Sequence, residues 1–81
     1  MRVRILVSLK TSVLDPQGQT VRNALHTLGY KAVEDVRQGK VFEVDLSGLS
    51  RDEAARLVPE IAHKVLANPI IETTTWEILE S

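Results

Sequence analysis

Apolar positions along this chain change rhythm several times, and each change marks an element. Val3, Ile5, Val7 and Leu9 alternate with Arg2, Arg4, Leu6 and Ser8, the period of a strand with one buried and one partly polar face. From Pro16 the period becomes helical: Val21, Leu25 and Leu28 recur with Ala24 beside them, and Gly29 supplies a left-handed stop. Asp15-Pro16 predicts the helix start, because a carboxylate accepts from the unpartnered amides of the first turn and proline loses nothing at the first helical position. Residues 31–37 and 40–46 flank Gln38-Gly39 and read as an antiparallel hairpin, its turn using glycine for positive φ. Phe42, Val44 and Leu46 should face the helices. Val33 and Val36 have opposite parity, which either a bulge or a partly open edge strand would accommodate.

Ser50-Arg51-Asp52-Glu53 has the spacing of a capping box and predicts the second helix. Its apolar stripe is Ala54, Leu57, Val58, Ile61, Ala62, Val65 and Leu66, with Pro59 inside it, so a kink is expected near Ala55. Asn68-Pro69 stops that helix, asparagine being tolerant of a left-handed cap, and residues 70–79 form a last, β-branched strand. The β-α-β-β-α-β order predicts an α+β, ferredoxin-like domain over residues 1–81, with two helices on one face of a four-stranded antiparallel sheet. The opposite face would carry Leu6, Val41, Thr73, Thr75 and Leu79 among charges. Strands two and four would be edges, which invite another chain, so the domain is expected to self-associate.

Composition narrows the chemistry. A chain of 81 residues removes only roughly 60% of its unfolded surface from water, and without cysteine it has neither a disulfide nor a thiolate metal site. Ten Lys and Arg against eleven Asp and Glu leave a net charge of -1, which offers no field for nucleic acid or an anionic membrane. No apolar run reaches the length of a membrane span and no signal region precedes strand one, so a soluble, cytoplasmic protein is expected. His26 and His63 lie on different helices without further ligands at metal spacing and read as ordinary surface histidines. Ser8, Ser12, Ser47 and Ser50 lack a neighbouring base or an elbow motif. The four glycines form no phosphate loop.

What remains are surfaces. Lys10, Asp15 and Gln17 would crowd one rim of the sheet, either as a docking surface or as a capped connection with Lys10 in water. Arg37 and Lys40 flank Gly39 at the hairpin tip, either to meet a partner's carboxylate or phosphate or as a solvated turn. Trp76 is either a core plug or an interface anchor.

Val7-Ser8-Leu9-Lys10, Val13-Leu14-Asp15-Pro16-Gln17-Gly18, Asp35-Val36-Arg37 with Gly39-Lys40, and Leu66-Ala67-Asn68-Pro69-Ile70-Ile71-Glu72 together closely resemble the PurS family, the small subunit of phosphoribosylformylglycinamidine (FGAM) synthase. The match spans nearly the whole chain. The resemblance implies a subunit without an active site of its own, an accessory part of an ATP-dependent glutamine amidotransferase that converts formylglycinamide ribonucleotide to its amidine in purine biosynthesis. It implies a homodimer or tetramer that bridges a glutaminase subunit and a large synthetase subunit and helps ammonia pass between them. ATP and Mg would be used by the large subunit, with no cofactor bound by this chain. Carried over, Lys10, Asp15, Pro16, Gln17 and Gly18 form an interface rim, Arg37, Gly39 and Lys40 a hairpin tip, and Asn68, Ile71 and Glu72 place the last strand, with Trp76 beside them. The chain departs from the family at Pro59 and at Thr73-Thr74-Thr75. A small-molecule-sensing regulatory module is the alternative from fold analogy.

Overall fold

The computed structural model describes residues 1–80. Strand β1 (Arg2–Leu9) is followed by helix α1 (Pro16–Thr27), strand β2 (Gly39–Asp45), helix α2 (Arg51–Ile61) with a widened π-helical turn (Ala62–Leu66), and strand β3 (Glu72–Glu80). The sheet has the order β2-β1-β3 and is antiparallel throughout. Ile5 pairs with Phe42 on one side and Trp76 on the other, and Val3 likewise with Val44 and Ile78. The core therefore forms as the alternation in β1 requires, with Val3, Ile5 and Val7 buried under Ala54 and Val58 of α2 and Ala62 of the π-helical turn. Trp76 packs against this cluster and is half-buried, a core plug rather than an exposed anchor.

The helix ends follow local chemistry. Asp15 caps α1 through the Gly18 amide, and Pro16 takes the first helical position. At the other end Gly29, at φ 102, donates to the His26 carbonyl while Tyr30 donates to Leu25, a Schellman closure. Ser50 and Glu53 form the reciprocal capping box, and the Ser50 backbone amide, with the Ser50 hydroxyl adding to it, holds the Glu53 carboxyl below its ordinary value.

The expected four-stranded sheet has three strands, because residues 31–38 form no strand and there is no hairpin at Gln38-Gly39. The polar groups of that segment are committed to α1 instead. The Glu34 carbonyl accepts from Arg22, the Val33 carbonyl faces the His26 ring nitrogen at 2.6 Å, and the Gln38 amide donates to Asp15. Gly39 does not adopt positive φ either; a Cβ there would lie 2.6 Å from the Val7 carbonyl oxygen, so glycine serves close strand approach.

Two further expectations change at α2. The kink expected near Ala55 does not interrupt the helix, which runs on through Pro59, and the ladder widens after it, closing with the Ala67 amide on the Ala62 carbonyl. Asn68 does not take the left-handed conformation; its side chain accepts from the Ile70 amide while Ala67 is already extended.

The two helices do not share one face of the sheet. No residue of α1 joins the core cluster. The molecule measures 50 × 26 × 14 Å, and its radius of gyration is 16.1 Å, against about 12 Å for a compact chain of this length. An eight-residue strand and a twelve-residue helix placed end to end span about 45 Å. Helix α1 thus continues beyond the end of the sheet.

On the open face Arg4 lies between Glu43, at 3.3 Å, and Glu77, at 3.6 Å, while Arg2 pairs with Asp45. Leu6, Val41 and Leu79 are exposed among these charges, as the alternation predicts.

Replacing Ser50 by Ala should lower stability by about 1 kcal/mol, read by urea denaturation, through loss of the cap to the Glu53 amide. An unchanged midpoint would mean that the capping box contributes nothing measurable.

Candidate functional site: the loop rim at the end of the sheet

The end of β1, the start of α1 and the starts of β2 and β3 meet at one end of the sheet. Their junction is organised by Asp15, whose residue is 3% exposed. One carboxylate oxygen accepts from the Gly18 amide at 2.9 Å, and the other accepts from the Gln38 amide at 2.7 Å. The same side chain thereby caps a helix and holds a segment 23 residues away. The Gln38 and Gly18 amides, with the nearby Arg37 charge adding to them, keep the Asp15 carboxyl below its ordinary value.

Arg37 completes the elbow. Its guanidinium donates to the carbonyls of Lys10, at 2.9 Å, and Val13, at 2.8 Å, tying the β1–α1 connection to the chain entering β2. Gly18 is buried where the two segments touch, and a Cβ there would sit 2.0 Å from the Val36 carbonyl oxygen. The position therefore requires glycine for proximity. Gln38 donates through its side-chain amide to the Gln17 side-chain oxygen, at 2.9 Å, across the top of the elbow.

Glu72 does similar work at the start of β3. One of its oxygens accepts from the Asn68 amide at 2.7 Å, and the other lies 3.9 Å from the Lys40 ammonium. Asn68 also accepts at its carbonyl from the Ile71 and Glu72 amides, and the Ile71 carbonyl accepts from the Lys10 amide. The rim encloses a pocket of about 190 Å³ lined by Leu9, Asp15, Gln17, Gln38, Gly39, Lys40 and Glu72. Small-molecule sites usually enclose roughly 300–1,000 Å³.

Most of the residues singled out from the sequence therefore come together: Lys10, Asp15, Pro16, Gln17, Gly18, Arg37, Gly39, Lys40, Asn68, Ile71 and Glu72 all belong to these connected loops. Trp76 stands apart, in the body of the sheet beside Ile5. Sequence reasoning missed Gln38 as a member of the rim. Its importance lies in its backbone amide, which no side-chain pattern reports. The roles of Arg37 and Glu72 also differ in kind from charges waiting at a loop tip, since both are engaged within the chain. The Lys40 side chain is 61% exposed.

Among the described residues no group of three or more His, Asp or Glu side chains converges to hold a metal ion, and no helix is long and apolar enough to cross a membrane. The rim's chemistry is hydrogen bonding and charge. It can hold loops in place and present lysines and amide groups to a surface.

These features define an α+β module in which an elbow of interlocked loops carries a helix past the end of a three-stranded sheet. The family model PurS, described as phosphoribosylformylglycinamidine (FGAM) synthase, matches residues 2–80, and the chain belongs to that family. It is similar to the Bacillus subtilis (strain 168) phosphoribosylformylglycinamidine synthase subunit PurS, with 47% identity over 79 residues that cover 98% of this chain and 93% of the relative. The corresponding Archaeoglobus fulgidus subunit is 43% identical over 68 residues, covering 84% and 85% of the two chains. A crystal structure of Bacillus subtilis PurS superposes with a TM-score of 0.87, at 47% identity and 98% coverage of both chains.

Two outcomes test the elbow. Gly18→Ala should lower stability by about 3 kcal/mol, because the added methyl displaces the Val36 carbonyl, and denaturant titration reads the loss. Because the folded-state value of Asp15 lies below the ordinary 3.8, its contribution is complete above that pH and is lost as the pH falls through the folded-state value. Asp15→Asn should therefore be less stable at neutral pH, and its stability should fall less steeply than the parent's as the pH drops below 3.8. Parallel acid limbs for the two proteins would contradict this assignment.

Proposed function

We propose that the chain is the small subunit of an FGAM synthase complex, where it joins a glutaminase subunit to the large synthetase subunit and assists the passage of ammonia between them. The observation that carries this reading is the family match over residues 2–80, reinforced by relatives named as subunit PurS that align over nearly their whole length. The complex uses ATP and glutamine to convert formylglycinamide ribonucleotide to its amidine in purine biosynthesis. ATP and Mg act on the large subunit, and this chain contributes no reacting group.

The physical need for such a subunit lies in the nucleophile. Ammonia is largely protonated in neutral water, and only the neutral amine attacks, so release to solvent between two active sites wastes the glutamine. Enclosure by protein keeps the amine reactive. A rigid adaptor can align the two sites by shape. In this reading the rim is the docking end, with Lys10 and Lys40 presented to acidic groups on a larger subunit while Asp15, Arg37 and Glu72 keep the loops in register.

The chain works as a homo-oligomer in the cytoplasm. Its three-stranded sheet leaves β2 and β3 as edges, and helix α1 leaves Val21 and Leu28 in water, surfaces that a second copy covers at little cost.

Reconstitution from purified subunits tests the proposal. Glutamine-dependent formation of the amidine should require this chain, whereas synthesis from added ammonium salts should proceed without it. Full glutamine-dependent activity in its absence would refute the bridging role. Substitution of Lys10 by Glu should weaken assembly by about fivefold at low salt while leaving the thermal transition intact. Unaltered assembly would move the docking surface away from the rim.

A further inference from the structure

The rim pocket holds more hydrogen-bonding capacity than its own chain uses. One Glu72 oxygen accepts from the Asn68 amide at 2.7 Å, but the other has only the Lys40 ammonium near it, at 3.9 Å, which is beyond hydrogen-bond length. The Glu72 side chain is nevertheless only 13% exposed. The Gln38 side-chain N–H donates to the Gln17 oxygen, while the Gln17 amide nitrogen and the Gln38 oxygen meet no partner among the described residues. Exchanging nitrogen and oxygen in both amides keeps the same balance, one NH2 and one oxygen unused.

Two acceptors and two donors thus line a cavity of about 190 Å³ whose one aliphatic side chain is Leu9. Asp15 also lines it but asks nothing of a guest, because each of its oxygens already accepts a backbone amide. Charge selects against an ionic guest. Lys40 and Glu72 oppose each other across 3.9 Å, and Asp15 has the Arg37 charge nearby. A carboxylate placed inside the pocket against Lys40 faces Glu72, and an ammonium placed against Glu72 faces Lys40, so either ion gains one attraction and suffers one repulsion.

A neutral group that both donates and accepts gains on both sides. A primary carboxamide is such a group: its oxygen accepts from Lys40 or Gln17, and its two hydrogens serve Glu72 and Gln38. A hydroxyl, with a single hydrogen, satisfies only one of those acceptors. Lys40 carries three hydrogens, so its outward ones remain for acidic groups on a partner's surface. Size limits the guest further. The cavity is smaller than the roughly 300 Å³ at which small-molecule sites begin, and it suits one side chain with its methylenes against Leu9.

We propose that the rim pocket is an anchor for one asparagine or glutamine side chain of the larger subunit that docks there. This inference rests on docking at the rim, as stated under the proposed function, and adds the chemistry of one contact. The anchor contributes discrimination as well as affinity. A partner offering an apolar residue at this point strips water from Glu72 and Lys40 and returns no hydrogen bond, which costs more than the missing bond alone.

Glu72→Gln separates the two duties of this residue. The new side chain still accepts from the Asn68 amide through its oxygen, so circular dichroism should show the fold retained, while its NH2 puts a donor where the second acceptor stood. Titration against the glutaminase and synthetase subunits should give a dissociation constant about tenfold above that of the wild type. That ratio should be the same at low and high salt, since the guest carries no charge; a ratio that collapses with salt would identify an ionic guest and overturn the proposal. Leu14→p-benzoylphenylalanine, at an exposed site beside Asp15, supplies the second arm. Photolysis of the assembled complex should join the rim to a partner peptide containing asparagine or glutamine. Truncating that partner residue to alanine should weaken binding of the wild type about tenfold and of the Glu72→Gln variant far less, the non-additivity of groups in contact. A wild type that binds neither larger subunit would overturn rim docking and the anchor together. Unchanged affinity of Glu72→Gln, additive losses, or cross-links only to peptides without a carboxamide would overturn the anchor alone.

Discussion

One carboxylate determines how the rest of this molecule is arranged. Asp15 is buried, and each of its oxygens accepts a backbone amide, one from the first turn of α1 and one from the chain about to enter β2. A buried charge is tolerated only where hydrogen bonds replace its hydration, and here the replacement comes from amides on two separate segments. The direction of the helix, the entry to the second strand and the shape of the rim all depend on that arrangement. Arg37 adds its donors to two carbonyls of the same elbow, and Gly18 allows the segments to touch.

The division of labour in the fold follows. Stability of the single chain rests on a small core of β1 and α2, where Val3, Ile5 and Val7 meet Ala54, Val58 and Ala62. The elbow adds little to that core and instead aims a helix away from it. Such a chain leaves its sheet edges, its projecting helix and its rim uncovered. The chain belongs to the PurS family, whose similar relatives are named as subunits of FGAM synthase, and the charged groups of its rim are engaged in holding the loops together.

Elements set by local chemistry were legible in the sequence. Asp15-Pro16, the Ser50 to Glu53 box and Gly29 each work within one helical turn, so residue type and spacing suffice to place them. The alternation in β1 and β2 was equally readable, since one face of each is buried. Residues 31–38 were not, because their partners are Arg22, His26 and Asp15, and no local pattern distinguishes a strand edge from a segment bound to a helix. The opposed parity of Val33 and Val36 was the one warning. At the rim, the residues were legible as separate surfaces, but their meeting and the inward use of Arg37 and Glu72 depended on contacts between segments far apart in the chain.

Hydrogen–deuterium exchange on this chain, alone and with the glutaminase and synthetase subunits, tests the central claim most directly, since it reads the rim in the assembled state. The account predicts added protection at residues 10–18 and 37–40 when the larger subunits bind. Protection confined to the opposite end of the sheet, or no change at the rim on assembly, would contradict it.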